Sequence, residues 1–275
     1  MRAAPGYNAL MPYAVLAPVL DVQLIAPEHY TLTCHAPALA RDARPGHFVN
    51  VRASDDGFDP LLRKPFSIYT ADPEAGTISL LFSVVGAVTR SMARRRAGDT
   101  IDMVGPLGGR LFSRDARPDV LHVLVGGGYG VPPLVFFARH LGADRPEAAL
   151  AFIIGARTRD LLLCHAELEA AGIATHTATD DGTHGAHGRV TDVLQPLLEQ
   201  NAHRPVAVRC CGPTPMMRAV ARMCLAANVP CELSVEVSMP CGVGVCMGCV
   251  LDLADGRRVR CCLDGPVFPA AEVAW

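Results

Sequence analysis

Four cysteines towards the carboxyl end of the chain constrain it more than any other feature. Cys241, Cys246 and Cys249 follow the spacing C-x4-C-x2-C, and Cys262 comes after a short insert. This is the plant-type spacing of thiolates around a 2Fe-2S cluster. Glycines lie between these thiols, and glycine tolerates the backbone conformations that several thiolates need in order to converge on one small group. The pattern therefore predicts an iron–sulfur loop.

Other uses of these cysteines fit the pattern less well. A structural zinc site more often shows two C-x2-C pairs. Disulfides need an oxidising compartment, and the uncharged stretch 3–20 is too interrupted by Pro5, Pro12 and Pro18 to read as an export signal. We therefore expect a reducing, cytoplasmic location. The fourth ligand is ambiguous because Cys261 adjoins Cys262; successive residues of an extended segment point opposite ways, and we choose Cys262.

Composition sets the class of protein. The 275 residues leave room for two domains and a small module. Half of them are hydrophobic and 19% are charged, which is typical of a globular protein. A net charge of −2 gives no electrostatic reason to expect nucleic acid or an anionic membrane as partner. The uncharged run 120–138 is broken by glycines and by Pro132-Pro133, so we expect no membrane span.

The first half of the chain has the spacing of short strands that is typical of a small antiparallel barrel. Short alternating segments punctuated by turns predict strands and one short helix, Arg90–Arg96. The predicted strands are Val19–Ile25, Tyr30–His35, His47–Arg52, Phe66–Tyr69, Thr77–Val84 and Asp99–Val104.

After residue 117 strands alternate with helices, which predicts an α/β domain with a doubly wound parallel sheet. The predicted strands are Val120–Val125, Ala149–Ile154, Ile173–Thr179 and Pro205–Cys210, and the helices are Pro132–Leu141, Leu161–Ala171, Val190–Gln200 and Thr214–Ala227. We accordingly divide the chain into an extension (1–17), a barrel domain (18–117), an α/β domain (118–230) and a carboxyl-terminal module (231–275).

Two turns of the predicted α/β domain lie where parallel sheets bind ligands, at the carboxyl ends of strands. They contain Gly126, Gly127, Gly128 and Gly130 in the first turn, and Cys211, Gly212 and Pro213 in the second. The first precedes a helix, whose amino terminus could meet the pyrophosphate of a dinucleotide. Either turn taken alone is equally explained as a tight strand–helix connection.

The order of these motifs resembles the ferredoxin–NADP reductase superfamily and, more closely, the electron-transfer subunits of NAD-dependent dihydroorotate dehydrogenase. The resemblance covers about residues 19–273. It rests on Lys64–Ser67, Gly105–Gly108, Gly126–Leu134, Thr179–Thr183, Cys211–Pro213, Cys241–Cys249 and Cys262–Phe268. It implies a FAD-binding barrel, a pyridine-nucleotide domain lined by the two glycine turns, and a 2Fe-2S cluster on Cys241, Cys246, Cys249 and Cys262.

The resemblance also implies which residues contact FAD. Lys64, the only lysine, stands where the family usually has arginine near the pyrophosphate; it keeps the charge but not the bidentate fork, so we assign Arg63 a share. Phe66, after Pro65, would pack on the flavin, and the Ser67 hydroxyl would lie near its reactive nitrogen. Two further FAD-contacting segments are implied, consisting of Leu81, Phe82 and Ser83, and of Val88 and Thr89.

The function implied by the resemblance is electron transfer from a partner subunit, which oxidises dihydroorotate on FMN, to NAD+ in pyrimidine (UMP) biosynthesis. The assembly implied is a heterotetramer of two of each subunit. No acid–base catalytic residue is required, and none is evident. Arg157 and Arg159, after the second strand of the α/β domain, could instead favour NADP.

Three alternatives stay open at this stage. The chain could serve another oxidoreductase, of the hydrogenase or ferredoxin:NADP reductase type, as its electron-transfer subunit. It could be a non-enzymatic redox sensor, or a zinc-bearing binding module.

Overall fold

Alternating side chains along six strands close the first part of the chain into a barrel. The structure is a computed structural model that describes residues 11–52, 60–113 and 117–275. The strands are β1 (Tyr13–Ala26), β2 (His29–His35), β3 (Phe48–Arg52), β4 (Lys64–Asp72), β5 (Thr77–Ser83) and β6 (Thr100–Leu107), in the closed order β1-β2-β5-β4-β3-β6 with antiparallel neighbours. Two helices, α1 (Pro37–Asp42) and α2 (Ala87–Ala93), accompany them. The barrel core includes the fully buried Leu32, Val49, Ile68 and Leu80.

The second part of the chain alternates strands and helices, as predicted. Its elements are β7 (Leu121–Gly127), α3 (Val131–Asp144), β8 (Ala149–Ala156), α4 (His165–Ala170), β9 (Ala174–Thr179), β10 (Ala186–His187), α5 (Val190–Gln200), β11 (Val206–Cys211), α6 (Thr214–Ala226) and β12 (Cys231–Ser234). All seven residues of β7 are buried, which is typical of a central parallel strand covered by helices on both faces.

The last part of the chain carries the cysteine pattern. The loop 235–249 leads into a short antiparallel hairpin of β13 (Val250–Asp252) and β14 (Arg258–Arg260), then a helical turn α7 (Cys261–Asp264) and β15 (Val267–Pro269). β15 pairs antiparallel with β12, so the second sheet has the order β10-β9-β8-β7-β11-β12-β15 and is otherwise parallel. The predicted fold class, a barrel followed by a doubly wound α/β sheet, is confirmed.

The chain divides into two compact units. The first contains the barrel as far as Leu111, together with Val237–Asp252 and Arg257–Pro266; the second contains Phe112–Glu236, Leu253–Gly256 and Val267–Trp275. The structure thus places the cysteine loop with the barrel, whereas the sequence analysis treated residues 231–275 as a module of their own.

Several predicted elements differ from the observed ones for physical reasons. β1 begins at Tyr13, inside the predicted extension, because residues 13–18 pair with β6; residues 1–10 lie outside the described part. The predicted helix Leu161–Ala171 starts only at His165, since Cys164 has a left-handed φ of 61° and separates it from a 3-10 turn. α2 starts three residues early, where the Thr89 hydroxyl accepts hydrogen bonds from the amides of Val85 and Gly86 at 2.9 and 3.0 Å. The barrel also has a second short helix, α1, that was not predicted.

Candidate functional site

Two glycines with positive φ values form the turns of the cysteine loop. Gly242 and Gly244 have φ values of 71° and 79°, which L-residues with a side chain rarely adopt. A Cβ atom on Gly242 would collide with the Asn50 amide and lie 2.9 Å from Leu107 Cδ1, and one on Gly244 would lie 2.8 Å from Leu263 Cδ2. The glycines between the thiols are therefore required both for the turn and for the close packing of the loop.

Two of the predicted ligands are in direct contact. The Sγ atoms of Cys249 and Cys262 lie 3.2 Å apart, and the Cys262 amide donates to Cys249 Sγ at 3.4 Å. The Gly248 amide donates to Cys246 Sγ at 3.4 Å. In the described part of the chain, no group of three or more His, Cys, Asp or Glu side chains is arranged to hold a metal ion.

The electrostatics of Cys241 favour its thiolate. Burial opposes ionisation, but hydrogen bonds from the backbone N–H groups of Cys246, Val243 and Val245, together with the Cys246 side chain, outweigh it and lower the pKa of Cys241 to about 6. A thiolate held by backbone amides is the donor that iron–sulfur clusters take.

Cys261 and Cys262 are distinguished by contact and not by burial. Burial raises the pKa of both thiols, that of Cys262 to about 12. The sequence analysis placed the two on an extended segment; this is wrong, because β14 ends at Arg260 and the Arg260 amide donates to Asp264 Oδ2 at 2.8 Å, which closes the helical turn α7. Within that turn it is the Cys262 thiol that meets the Cys249 thiol.

Most residues assigned to FAD lie on the neighbouring barrel strands β4 and β5, and Val88 and Thr89 lie on α2. Phe66 on β4 is half-buried and meets Phe82 on β5 edge-on, with ring centroids 6.0 Å apart. Lys64 is exposed, and Pro65 and Ser67 are half-buried. The remaining assigned positions, Leu81, Ser83, Val88 and Thr89, are buried. The structure thus brings both strand segments together, and it shows that the Thr89 hydroxyl already accepts the two amide hydrogen bonds that begin α2.

Arg63, predicted to share the FAD pyrophosphate with Lys64, forms an ion pair within the barrel. Its Nη2 donates to both carboxylate oxygens of Asp102 on β6, at 2.8 and 2.7 Å, and its Nη1 donates to the Asp102 carbonyl at 3.2 Å. A guanidinium engaged with a carboxylate is less available to a phosphate. Of the two adjacent cations, Lys64 is the one presented to solvent.

The two glycine turns of the α/β unit meet at one edge of the sheet. β7 and β11 are parallel neighbours, with Gly126 paired to Cys211. A Cβ atom on Gly130 would collide with the backbone of Cys211, and one on Gly212 would lie 2.9 Å from the Gly127 carbonyl oxygen. Backbone therefore packs on backbone here, at the carboxyl ends of the central strands, where parallel sheets bind ligands. Pro213 precedes α6 and completes the second turn.

Ser234 and Glu236, two polar residues that sequence reasoning missed, lie at the same edge, close to Cys211. Burial raises the pKa of Cys211, and the nearby charge of Glu236 adds to this, while Ser234 and the Gly212 amide offer it hydrogen bonds. The Glu236 side chain keeps contact with solvent, yet the protein around it removes enough water to raise its pKa to about 7. The only signal in the sequence is their position at the end of the strand beside β11, which is visible once the strand order is known.

Arg157 and Arg159 follow β8 and are exposed. The Arg159 amide donates to Thr183 Oγ1 at 2.9 Å, and the Asp181 amide donates to the Arg157 carbonyl at 3.2 Å, so this loop lies beside the loop that follows β9. Both residues thus lie at the carboxyl edge of the sheet, where parallel sheets bind ligands.

The fold and these motifs define the class of protein. An antiparallel barrel, a parallel sheet with glycine turns at its carboxyl edge, and a glycine-rich thiol loop together define a reductase of the ferredoxin–NADP reductase type. The solved structure of an NADH-dependent reduced ferredoxin-NADP oxidoreductase superposes with a TM-score of 0.83 at 30% identity, covering 95% of this chain and 90% of that one. A ferredoxin reductase of carbazole 1,9a-dioxygenase shares the fold, with a TM-score of 0.68 at 20% identity.

Sequence comparison gives the family. Residues 236–274 match the iron-sulfur cluster binding domain of dihydroorotate dehydrogenase B, and residues 124–222 match the oxidoreductase NAD-binding domain. Proteins named "Dihydroorotate dehydrogenase B (NAD(+)), electron transfer subunit" are similar over nearly their whole length. The one from Desulforamulus reducens is 36% identical, covering 94% of this chain and 97% of the relative; the one from Geobacillus kaustophilus is 38% identical, covering 93% and 96%.

The chain belongs to the family of dihydroorotate dehydrogenase B electron transfer subunits, as the sequence motifs predicted. Among the described residues, no helix combines the length and the apolar character needed to cross a bilayer.

Proposed function

We propose that this protein is the electron-transfer subunit of a dihydroorotate dehydrogenase, which passes electrons from an FMN-containing partner subunit to NAD+ with a 2Fe-2S cluster and FAD as its cofactors. The observation that carries the proposal is the packing of the cysteine loop against the barrel. Gly242, next to Cys241, packs against Asn50 and Leu107 of β3 and β6 within one compact unit. The candidate one-electron site and the candidate flavin site thus share one unit.

The residues present fit an iron–sulfur cluster. Cys241, Cys246, Cys249 and Cys262 would be its ligands, since backbone amides favour the Cys241 thiolate and Cys262 contacts Cys249. The alternative thiol, Cys261, is buried, and the backbone amide of Cys261 donates to the Cys249 carbonyl oxygen at 2.9 Å, whereas the Cys262 thiol meets the Cys249 sulfur itself.

The residues present also fit FAD. The Lys64 ammonium would pair with the pyrophosphate as a point charge, and Phe66 and Ser67 would contact the ring. Leu81, Phe82, Ser83 and Val88 would wall the site as buried residues of β5 and α2. We leave Arg63 out of the site, because Asp102 holds its guanidinium.

The nucleotide would bind at the carboxyl edge of β7 and β11. Gly128, where a Cβ atom would meet nothing within 4 Å, would leave room for its pyrophosphate, while Gly126, Gly127 and Gly130 let the turn pack closely on the protein around it. Cys211, Gly212 and Pro213 would form the neighbouring wall. When bound, the cluster supplies one-electron transfer and the flavin exchanges this for two-electron chemistry with the nucleotide. The chain's own task is to bind and orient these groups. We propose NAD as the nucleotide; the guanidinium groups of Arg157 and Arg159 make NADP the alternative.

The partner and the setting are part of the proposal. The relatives are named electron transfer subunits, which supports a partner subunit that carries out the catalytic reaction. We propose a heterotetramer of two of each subunit, in the cytoplasm, serving pyrimidine biosynthesis.

Reconstitution tests this function. The anaerobically purified chain is mixed with an FMN-containing, dihydroorotate-oxidising subunit from the same source, and NAD+ reduction by dihydroorotate is followed at increasing proportions of the chain. We expect NAD+ reduction only when both proteins are present, with a maximum at equal amounts. Dihydroorotate oxidation that never reaches NAD+, combined with rapid NADH oxidation in the presence of a ferredoxin, would instead assign the chain to the ferredoxin reductase type.

A further inference from the structure

Asn50 is a polar residue in the wall of the barrel. Its exposure is 0%. It lies on β3, opposite Pro65 of the segment assigned to FAD on one side and opposite Val104 of β6 on the other. The pairing of β3 with β6 has an irregularity between Phe48 and Asn50, and such bulges re-aim a side chain.

The Asn50 side chain points to the cysteine loop. Its Nδ2 donates to the Met239 carbonyl oxygen at 3.5 Å, the long limit of a hydrogen bond. Its Oδ1 is buried and has no hydrogen-bond partner among the described residues. Buried amides are nearly always satisfied, so an exception needs a reason. A leucine would fill a similar volume without burying an unpaired oxygen, and this makes a packing role alone a poor explanation.

Gly242 gives the second half of the contact. Its φ of 71° turns the chain directly after Cys241, and any Cβ atom there would collide with Asn50 Nδ2. The loop therefore rests on the amide of Asn50 at the residue next to a candidate ligand, and is tethered by the same amide two residues before that ligand, at Met239.

We infer that Asn50 is a positioning residue for the iron–sulfur loop. Its amide fixes the position of the loop backbone at Cys241 relative to β3, the strand that pairs with the flavin segment. The inference rests on the proposed function and adds to it a residue outside the cysteine motif. It acts through the loop backbone, not by ligation.

The first test compares Asn50→Leu with Ile78→Ala in the anaerobically purified full chain. Ile78 is fully buried on β5, so its truncation disturbs the barrel without touching the loop. Four quantities are measured: iron and sulfide per chain, the rate of cluster loss to a chelator, the paramagnetic resonance spectrum of the reduced cluster, and FAD per chain. We expect Asn50→Leu to lose its cluster at least tenfold faster than wild type and to show an altered resonance spectrum, with FAD retained. Ile78→Ala should match wild type in rate and spectrum.

The second test is a rescue, which also serves if Asn50→Leu does not fold. Gly242→Ala should lower the iron and sulfide content at least twofold, because its methyl group meets the Asn50 amide. Asn50→Ala removes that amide, so the loss of cluster in the double variant Asn50→Ala/Gly242→Ala should be smaller than the sum of the two single losses, which is what independent sites would give.

The outcomes separate this inference from the function on which it rests. A wild-type chain without iron and sulfide would overturn the proposed function itself. A wild-type chain with its cluster, beside an Asn50→Leu variant of unchanged rate and spectrum or a double variant with additive losses, would overturn the role of Asn50 alone.

Discussion

Two glycine-to-alanine changes in the α/β unit, at Gly130 before α3 and at Gly142 near its end, should have opposite effects. At Gly130 the added methyl group would collide with the Cys211 backbone of β11, while at Gly142, in the last turns of α3, it would meet nothing within 4 Å. Both residues have φ values outside the left-handed region, so neither alanine is strained by its own backbone. The difference between the variants therefore isolates the packing of the first glycine turn on the second.

The expected magnitudes follow from the two environments. A methyl group forced against backbone cannot be relieved by a rotamer change, and such overpacking costs about 1–3 kcal/mol. Gly142→Ala replaces an exposed helical glycine, which should stabilise the fold by about 0.5–1 kcal/mol. At roughly 2–4 °C per kcal/mol for a chain of this size, Gly130→Ala should lower the melting temperature by at least about 2 °C and Gly142→Ala should raise it slightly.

The functional part of this prediction concerns the nucleotide. If the Gly126–Gly130 turn moves away from Cys211-Gly212-Pro213, the apparent KM for NADH in reduction of an artificial acceptor should rise about tenfold, which corresponds to about 1.4 kcal/mol. The assay is the steady-state rate against NADH concentration for wild type and both variants, with FAD content checked for each. Equal KM values for Gly130→Ala and Gly142→Ala would refute the placement of the nucleotide at this edge.

Three further predictions concern the other sites. Cys262→Ser should abolish the assembled cluster while Cys261→Ser retains it, as measured by iron and sulfide content; the reverse pattern would show that the fourth ligand is the other thiol. Lys64 is the only lysine, so added FAD should protect its amine from acetylation, as measured by peptide mass. Lys64→Ala should weaken FAD binding at least about tenfold, in line with the 1.5–3 kcal/mol of a hydrogen bond to a charged group. Arg63→Ala should change FAD affinity much less, and an equal loss would count against our assignment. The native pKa of Glu236 is raised from 4.5 to about 7, so between these pH values the folded chain keeps a proton that the unfolded chain releases. The contribution of Glu236 to stability therefore declines as pH rises across this range. Melting temperatures measured across it should decline less steeply in Glu236→Gln than in wild type, and identical slopes would contradict the shift.

The parts of the fold that could be predicted are those in which local pattern and tertiary role agree. β7 is a continuous apolar run between turn residues, and as a central strand it is buried throughout. Its apolar sequence therefore agrees with its buried position in the sheet. Val190–Gln200 was predicted with its observed bounds because its apolar residues recur at helical spacing. The spacing of the thiols likewise depends on chemistry within one loop.

What could not be predicted depends on partners distant in sequence. The ion pair that occupies Arg63 comes from Asp102, 39 residues away. The role of Asn50 depends on a loop residue, Met239, that lies 189 positions later. Glu236 becomes a candidate only when β12 is known to lie beside β11. None of these pairings leaves a periodic trace in the sequence.

The boundary differences have local causes that composition hides. Residues 1–17 were predicted as an extension, yet residues 13–17 belong to β1 and pair with β6. Cys164 takes a left-handed conformation that is uncommon for a residue with a side chain, and so delays α4. A single residue of this kind moves an element without altering the fold.

The central proposal is that one chain binds a flavin, an iron–sulfur cluster and a pyridine nucleotide. The most direct measurement is the visible absorption spectrum of the anaerobically purified protein before and after addition of NADH. Our account predicts flavin bands together with broad iron–sulfur absorption, both bleached by NADH. A colourless protein, or a cluster spectrum with no flavin and no response to NADH, would contradict it and would favour a zinc-bearing module or a redox sensor.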